Sequence, residues 1–189
     1  MLSICREATI ETVGRTIIFN SDGRVIKKNN RTSGSVFDGV IQMTNAERES
    51  VILACNRLIQ PQGIVTTVNG KPLADRDAVA TFELQMPTLG VDDEGNLFNT
   101  RRMTEINIYE PQDGEDPHVY EMGIPIVALD GDRFHVDIQQ KVPVNMDRDN
   151  VTPSYLARLR MGVVDNTHHL LTEEDAQQSW VTEATGHAE

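Results

Sequence analysis

The sequence predicts an α+β fold in two layers, with antiparallel-rich sheets and helices packed on one face. Three observations carry this. Short alternating or β-branched segments follow one another across tight turn signals such as Asn20-Ser21-Asp22-Gly23, Asn69-Gly70 and Asp130-Gly131, and strands joined by short turns pair antiparallel. Helix-start signals precede long apolar-periodic segments at two places, Thr44-Asn45-Ala46-Glu47 and Thr152-Pro153. A chain of 189 residues at 39% hydrophobic content is long enough to bury a core.

Taken in order, Leu2 to Ala8 reads as the end of a helix, because Leu2, Ile4, Cys5 and Ala8 are apolar and no capping residue precedes them. Thr9 to Val13, Arg15 to Phe19 and Arg24 to Lys28 read as strands. Gly34 to Met43 resumes the alternation after a polar loop. An independent domain rarely starts this way, so residues 1–43 are expected to expose an edge or an apolar patch and to self-associate.

Thr44 and Glu47 form a capping box, and Val51, Ile52, Cys55, Leu58 and Ile59 share one face of the helix behind it, which is expected to end near Gln60 and to need a sheet to pack on. Ile64 to Val68 and Lys71 to Leu73 turn at Asn69-Gly70. Thr81 to Met86 and Glu105 to Tyr109 alternate, with Gly90 to Thr100 expected as the loop between them; Val119 to Val127 and Phe134 to Ile138 are expected to form a hairpin across Leu129-Asp130-Gly131-Asp132. Tyr155 to Leu171 reads as a helix with Arg158 and Arg160 on its polar face, and Thr172 to Glu189 as an acidic tail or the start of a further helix. The domain boundaries expected are 1–43, 44–171 and 172–189.

The net charge of −12 argues against broad binding to nucleic acid or an anionic membrane. No run of eighteen apolar residues and no basic-then-apolar leader occurs, so a cytoplasmic location is expected. Cys5 and Cys55 sit among apolar neighbours and read as buried thiols. The phosphate-binding G-x-x-x-x-G-K-[ST] and G-x-G-x-x-G patterns, H-E-x-x-H, C-x-x-C and G-x-S-x-G are all absent. His168 and His169 are adjacent, and neighbours on a helix point about 100° apart, so they are read as surface residues.

The stretch most suggestive of chemistry is Val136 to Arg148, VDIQQKVPVNMDR. A strand gives way at Gln139-Gln140-Lys141, and Pro143 makes central-strand pairing improbable. A polar loop then leads to the Thr152-Pro153 helix start. Strand, loop and helix start together hold a lysine and an arginine on a rigid scaffold, the arrangement that a phosphate-recognising loop needs. A solvated loop with surface ion pairs is the other reading.

Val142 to Val151, VPVNMDRDNV, resembles the L-P-L-N-x-S-R-E-x-L stretch of the ninety-kilodalton heat-shock chaperones, and Gln139-Gln140-Lys141 resembles the Q-T-K loop of type II topoisomerase transducer domains. Both belong to the GHKL group of ATPases: gyrase, heat-shock chaperone, histidine kinase and MutL. Leu2 to Thr12 resembles the helix and strand that follow the ATP lid in that group, Ser33 to Val40 its closing strand, and Val68-Asn69-Gly70 a transducer hairpin. The resemblance implies the C-terminal part of an ATP-binding domain followed by a transducer-like domain. It implies ATP and magnesium as cofactors, an upstream ATP-binding segment or subunit as partner, and a homodimer as an assembly. It assigns Arg148 or Lys141 to the terminal phosphate, with Gln140 and Asn145 orienting the loop. The N-box, the D-x-G-x-G motif and the glycine lid of the group do not occur in this chain, so by itself it is not expected to be a competent ATPase. A non-catalytic acidic binding or scaffold module is the competing reading.

Overall fold

The computed structural model describes residues 5–61, 63–145 and 150–186. The chain divides into two units, Met1–Ile52 and Leu53–Glu189, and its fold is α+β with mainly antiparallel sheets.

The first unit is built on a four-stranded antiparallel sheet in the order β3-β2-β1-β4, formed by β1 (Glu7–Thr12), β2 (Arg15–Asn20), β3 (Gly23–Lys28) and β4 (Val36–Val40). Ala8, expected at a helix end, is instead in β1, where pairing with Phe19 and Gly39 satisfies its backbone; Leu2 to Ile4 lie outside the described residues. Register aligns Ile26, Ile17, Ile10 and Phe37 in one row across all four strands. A single layer cannot bury such a row: within this unit Ala8 is the only buried hydrophobic residue described, and Ile26 and Phe37 are 53% and 46% exposed. The apolar patch expected for residues 1–43 is therefore present.

The capping box forms as expected, with Glu47 accepting from the Thr44 N–H at 2.6 Å and Thr44 Oγ1 accepting from the Glu47 N–H at 3.2 Å. Helix α1 (Asn45–Asn56) is shorter than its periodicity suggests and buries none of its residues. Val51 and Leu53 are exposed, and Cys5 and Cys55 are half-buried rather than buried. The division between the two units falls inside this helix.

The second unit holds a five-stranded sheet in the order β10-β9-β11-β8-β7, made of β7 (Ala80–Val91), β8 (Leu97–Tyr109), β9 (His118–Glu121), β10 (Ile124–Ala128) and β11 (His135–Ile138). A two-stranded ribbon, β5 (Thr67–Val68) and β6 (Lys71–Pro72), turns at Asn69-Gly70 with both residues at positive φ, as the Asn-Gly signal requires. Two sequence expectations fail here. The segment Val119 to Val127 is two strands, folded back at Met122-Gly123, whose φ values of 49° and 83° make a type I′ turn. No hairpin then forms across Asp130-Gly131. Instead β11 inserts between β9, to which it is parallel, and β8, to which it is antiparallel. The other correction concerns β7 and β8, which run far past the expected ends and leave only Asp92 to Asn96 as a turn.

Helix α2 (Pro153–Thr167) starts where expected, with Pro153 in its first turn and Thr152 Oγ1 accepting from the Tyr155 N–H at 3.3 Å. Its Tyr155, Leu159 and Val163 pack on Ile106, Ile108, Val136 and Ile138 to form the main core. Of the two readings of the segment after Leu171, the further helix is the one that forms: α3 (Ser179–Gly186) buries Trp180, Val181 and Ala184, and Trp180 and Val181 belong to that core. Arg160 is correspondingly not on a free polar face: it bridges Asp132 at 2.5 Å and Glu183 of α3 at 2.7 Å. Among the described residues no helix is long and apolar enough to cross a membrane.

Gly123 is the tightest point in this architecture. Its N–H donates to Asp137 at 2.9 Å, its carbonyl accepts from Ile59 at 2.9 Å, and a Cβ would run into the Ile59 carbonyl. Gly123→Ala combines positive-φ strain with that collision, so it is expected to destabilise by about 2–4 kcal/mol, whereas Gly131→Ala, with open space at its Cβ position, should cost about 1 kcal/mol. Urea titration of the two variants checks this, and equal losses would refute the close-approach argument.

Candidate functional site

Three of the four residues picked out by the sequence, Gln140, Lys141 and Asn145, lie on the described chain leaving β11. Gln139 continues the strand direction, its N–H donating to the Glu105 carbonyl at 3.0 Å and its amide to Asp137 at 2.6 Å. Gln140 is half-buried and its Nε2 reaches the Met86 and Pro87 carbonyls at 3.3 and 3.4 Å. At Lys141 the backbone is held from both sides. Thr88 Oγ1 donates to the Lys141 carbonyl at 2.7 Å, and the next N–H, that of Val142, donates to Glu121 Oε2 at 2.7 Å. Val142 is fully buried in the main core. The Lys141 side chain is exposed and has no ion-pair partner among the described residues.

Beyond Val142 the chain closes on itself. Val144 and Val151 form an isolated antiparallel bridge, and the Asn145 N–H donates to the Asn150 carbonyl at 3.0 Å. Asn145 thus contributes its backbone to the base of the loop. Arg148 lies outside the described residues. Gln140 and Lys141 are brought to one end of the buried Val142 anchor and Asn145 to the other.

The residues that fix Lys141 were not legible in the sequence. Thr88 is 53 positions from Lys141 and Glu121 is 21 positions from Val142, and neither sits in a motif. Pairing in the sheet alone brings them to the loop.

The unit contains a second polar cluster that sequence reasoning also missed. Arg76 makes a bidentate pair with Glu115 at 2.6 and 2.7 Å and donates to the Asn56 carbonyl. Glu115 Oε2 also meets His135 Nε2 at 3.1 Å, while His135 Nδ1 accepts from the His118 N–H at 3.1 Å. That last bond requires a bare Nδ1, so the proton sits on Nε2 and the ring is neutral. Hydrogen bonding from Arg76 holds the Glu115 carboxyl down at about 2, and burial pushes the His135 pKa below its ordinary value. Tyr120, edge-on to the His135 ring at 5.1 Å, is pushed up to about 12 by burial. Both nitrogens of His135 are engaged and the residue is 1% exposed, so it has no open position for proton transfer. This cluster ties the turn before β9 to β11 and the 73–79 segment.

Compared with protein-family models, curated proteins and solved structures, the chain matches none.

Glu115 and His135 impose the same sign on the acid limb. Each has a folded pKa below its unfolded value, so each contributes stability that is present above the unfolded pKa and lost as pH falls. The loss is expected to begin below pH 6.5 for His135 and to continue from pH 4.5 toward 2 for Glu115. Glu115→Gln should remove the lower part of that slope and cost about 3 kcal/mol at pH 7, because it leaves the Arg76 guanidinium buried without its counter-charge. Denaturant unfolding from pH 2 to 7 checks both, and an unchanged slope below pH 4.5 in the variant would contradict the assignment.

Proposed function

We propose that the 139–150 segment is a phosphate-sensing loop of the GHKL type. It reads the terminal phosphate of ATP held by an ATP-binding segment or subunit in the cytoplasm, and passes the signal on as domain closure. What supports the reading, beside the resemblance of Gln139 to Val151, is the clamped backbone at Lys141. Its carbonyl and the following N–H are both fixed by side chains from neighbouring strands, while its side chain is exposed and has no ion-pair partner among the described residues. With the backbone already ordered, only the side chain of Lys141 has to be ordered when its ammonium meets an anion, which suits electrostatic stabilisation of a transferring phosphoryl group.

In this reading Lys141 acts as a point charge on the terminal phosphate, and Gln140 orients the loop through the Met86 and Pro87 carbonyls. Arg148 is the alternative phosphate contact, better suited to bidentate pairing, and Asn145 closes the base of the loop that carries it. The adenine and water-activating sites belong to the partner segment. By the same resemblance, magnesium is held by the ATP-binding segment.

A binding or scaffold module remains the second reading, favoured by one observation: α1, which a transducer-like packing would lay on the same sheet face as α2, buries no residue.

Turnover separates the two. In the assembly that includes the ATP-binding segment, Lys141→Ala is expected to lower the rate of ATP hydrolysis by about two to three orders of magnitude with a much smaller change in nucleotide affinity and no loss of fold stability. Arg148→Ala should show that loss instead if the arginine makes the contact. Retention of more than about half the turnover by both variants, a weaker effect than a transition-state contact gives, would sink the phosphate reading and leave the module.

A further inference from the structure

Strand β7 is the last in the order β10-β9-β11-β8-β7, so one of its edges has no neighbouring strand among the described residues. From that open side Arg158 Nε donates to the Gln85 carbonyl at 2.6 Å. The register of β7 with β8 is continuous, and alternate residues of a strand turn both backbone groups to the same side. Thr81 and Glu83 therefore direct their N–H and carbonyl groups outward with Gln85, and among the described residues no hydrogen bond reaches those of Thr81 or Glu83. Pro87, which has no N–H, ends the run before the two-stranded arm that β7 and β8 form beyond it.

Beside this edge a groove of about 540 Å³ runs between β7 and one flank of α2, its walls including Leu84, Ala157, Arg158, Met161 and Asp165. Helix and strand touch within it, where a Cβ on Gly162 would come within 2.6 Å of Leu84 Cδ2. The α2 wall, residues 153–165, is about 18 Å long at the helical rise, and residues 81–85 extend over about 17 Å at the strand rise, so edge and groove match in length. On the opposite face of the strand, Glu83 stands directly across from Glu105 of β8. Glu105 Oε1 accepts from Asn107 Nδ2 at 3.0 Å, while Glu83 is exposed and has no ion-pair partner among the described residues. Like charges directly opposed in a sheet repel, and no described cation offsets this pair.

We propose that this edge and groove bind an extended segment of a partner protein, added antiparallel to β7 as a further strand, in which apolar residues alternate with lysine or arginine. Unpaired backbone groups at alternate residues have an extended backbone as their complement, and strand addition draws its affinity from them. A guest residue opposite Glu83 turns its side chain to the Glu83 face, where a cation answers the Glu83–Glu105 pair. The guest residues on either side turn theirs into the groove beside Leu84, Ala157 and Met161. A second copy of the chain fits this edge badly, because pairing residues 81–85 with themselves about a two-fold axis sets one Glu83 against the other, between chains of net charge −12. The assignment is independent of the phosphate-sensing reading.

Fluorescence anisotropy of the full chain with a labelled seven-residue peptide of alternating valine and lysine tests it. Saturable binding is expected. Glu83→Lys should weaken it about tenfold, and so should Met161→Arg, which puts a cation and extra bulk into the groove. The Glu83→Lys chain should in turn prefer the peptide in which glutamate replaces lysine, a reversal that a misfolded variant could not show. Methylating the backbone nitrogens of the lysines removes the N–H groups that face β7 and should also cost about tenfold or more. Absence of saturable binding would overturn the proposal, and so would equal affinity for the methylated peptide, which would reduce the contact to charge alone. Peptide binding that proceeds only by dissociating a dimer of the chain, seen by sedimentation equilibrium, would assign the edge to a second copy instead.

Discussion

Strand β11 is buried on both faces, so every polar group that it carries has to find a partner inside the protein or cost several kcal/mol. Val136 and Ile138 point into the main core against α2. His135 and Asp137 point the other way and are 1% and 2% exposed. Their partners come from four separate places: Glu115 and the His118 N–H for the histidine, the Gly123 N–H and the Gln139 amide for the carboxylate. Burial pushes the Asp137 pKa up, and those two donors resist it. Satisfying one strand thereby positions the turn before β9, the β9–β10 turn and the first residue of the loop after β11.

The placement of Lys141 follows from the same constraint. Once Gln139 is held by Asp137 and by the Glu105 carbonyl, the chain cannot continue as a paired strand through Pro143, and it crosses toward β7. Thr88 and Glu121 then receive it, and Val142 is driven into the core. Backbone order at Lys141 is thus a by-product of packing, while its side chain stays in solvent. Such a division between fixed backbone and available charge suits an anion contact that forms only when another segment approaches.

Among the exposed apolar residues described, those of the first-unit sheet and those of the β7–β8 hairpin differ in kind. In the first unit a whole sheet face is left open, which is a property of a single layer. The second unit is different, because β7 and β8 continue as a two-stranded ribbon past Ile106, where pairing with β11 ends, and Val91 and Leu97 at the far end of that ribbon are exposed. The guarding of β7 by Arg158 and Pro87 beside an unguarded β8 makes the two edges of one hairpin unequal.

Local signals were strong enough to settle several elements from the sequence alone. The Thr44-Glu47 capping box, the Thr152-Pro153 helix start, the Asn69-Gly70 turn and the first-unit strands each depend on backbone conformations set by residues within a few positions, and the α+β class follows from them. The candidate loop was legible for a similar reason, since Pro143 and the polar residues around it end the strand locally. Tertiary structure decided the rest. Met122-Gly123 is a weak turn signal, and it takes a type I′ geometry because β10 must return along β9 while Asp137 and Ile59 bind Gly123 from either side. The insertion of β11 between β8 and β9, the long arm, the burial of Trp180 and the clamp on Lys141 all join residues tens of positions apart. Pairings of that range are selected by the free energy of burying the whole sheet, which no short window of sequence contains.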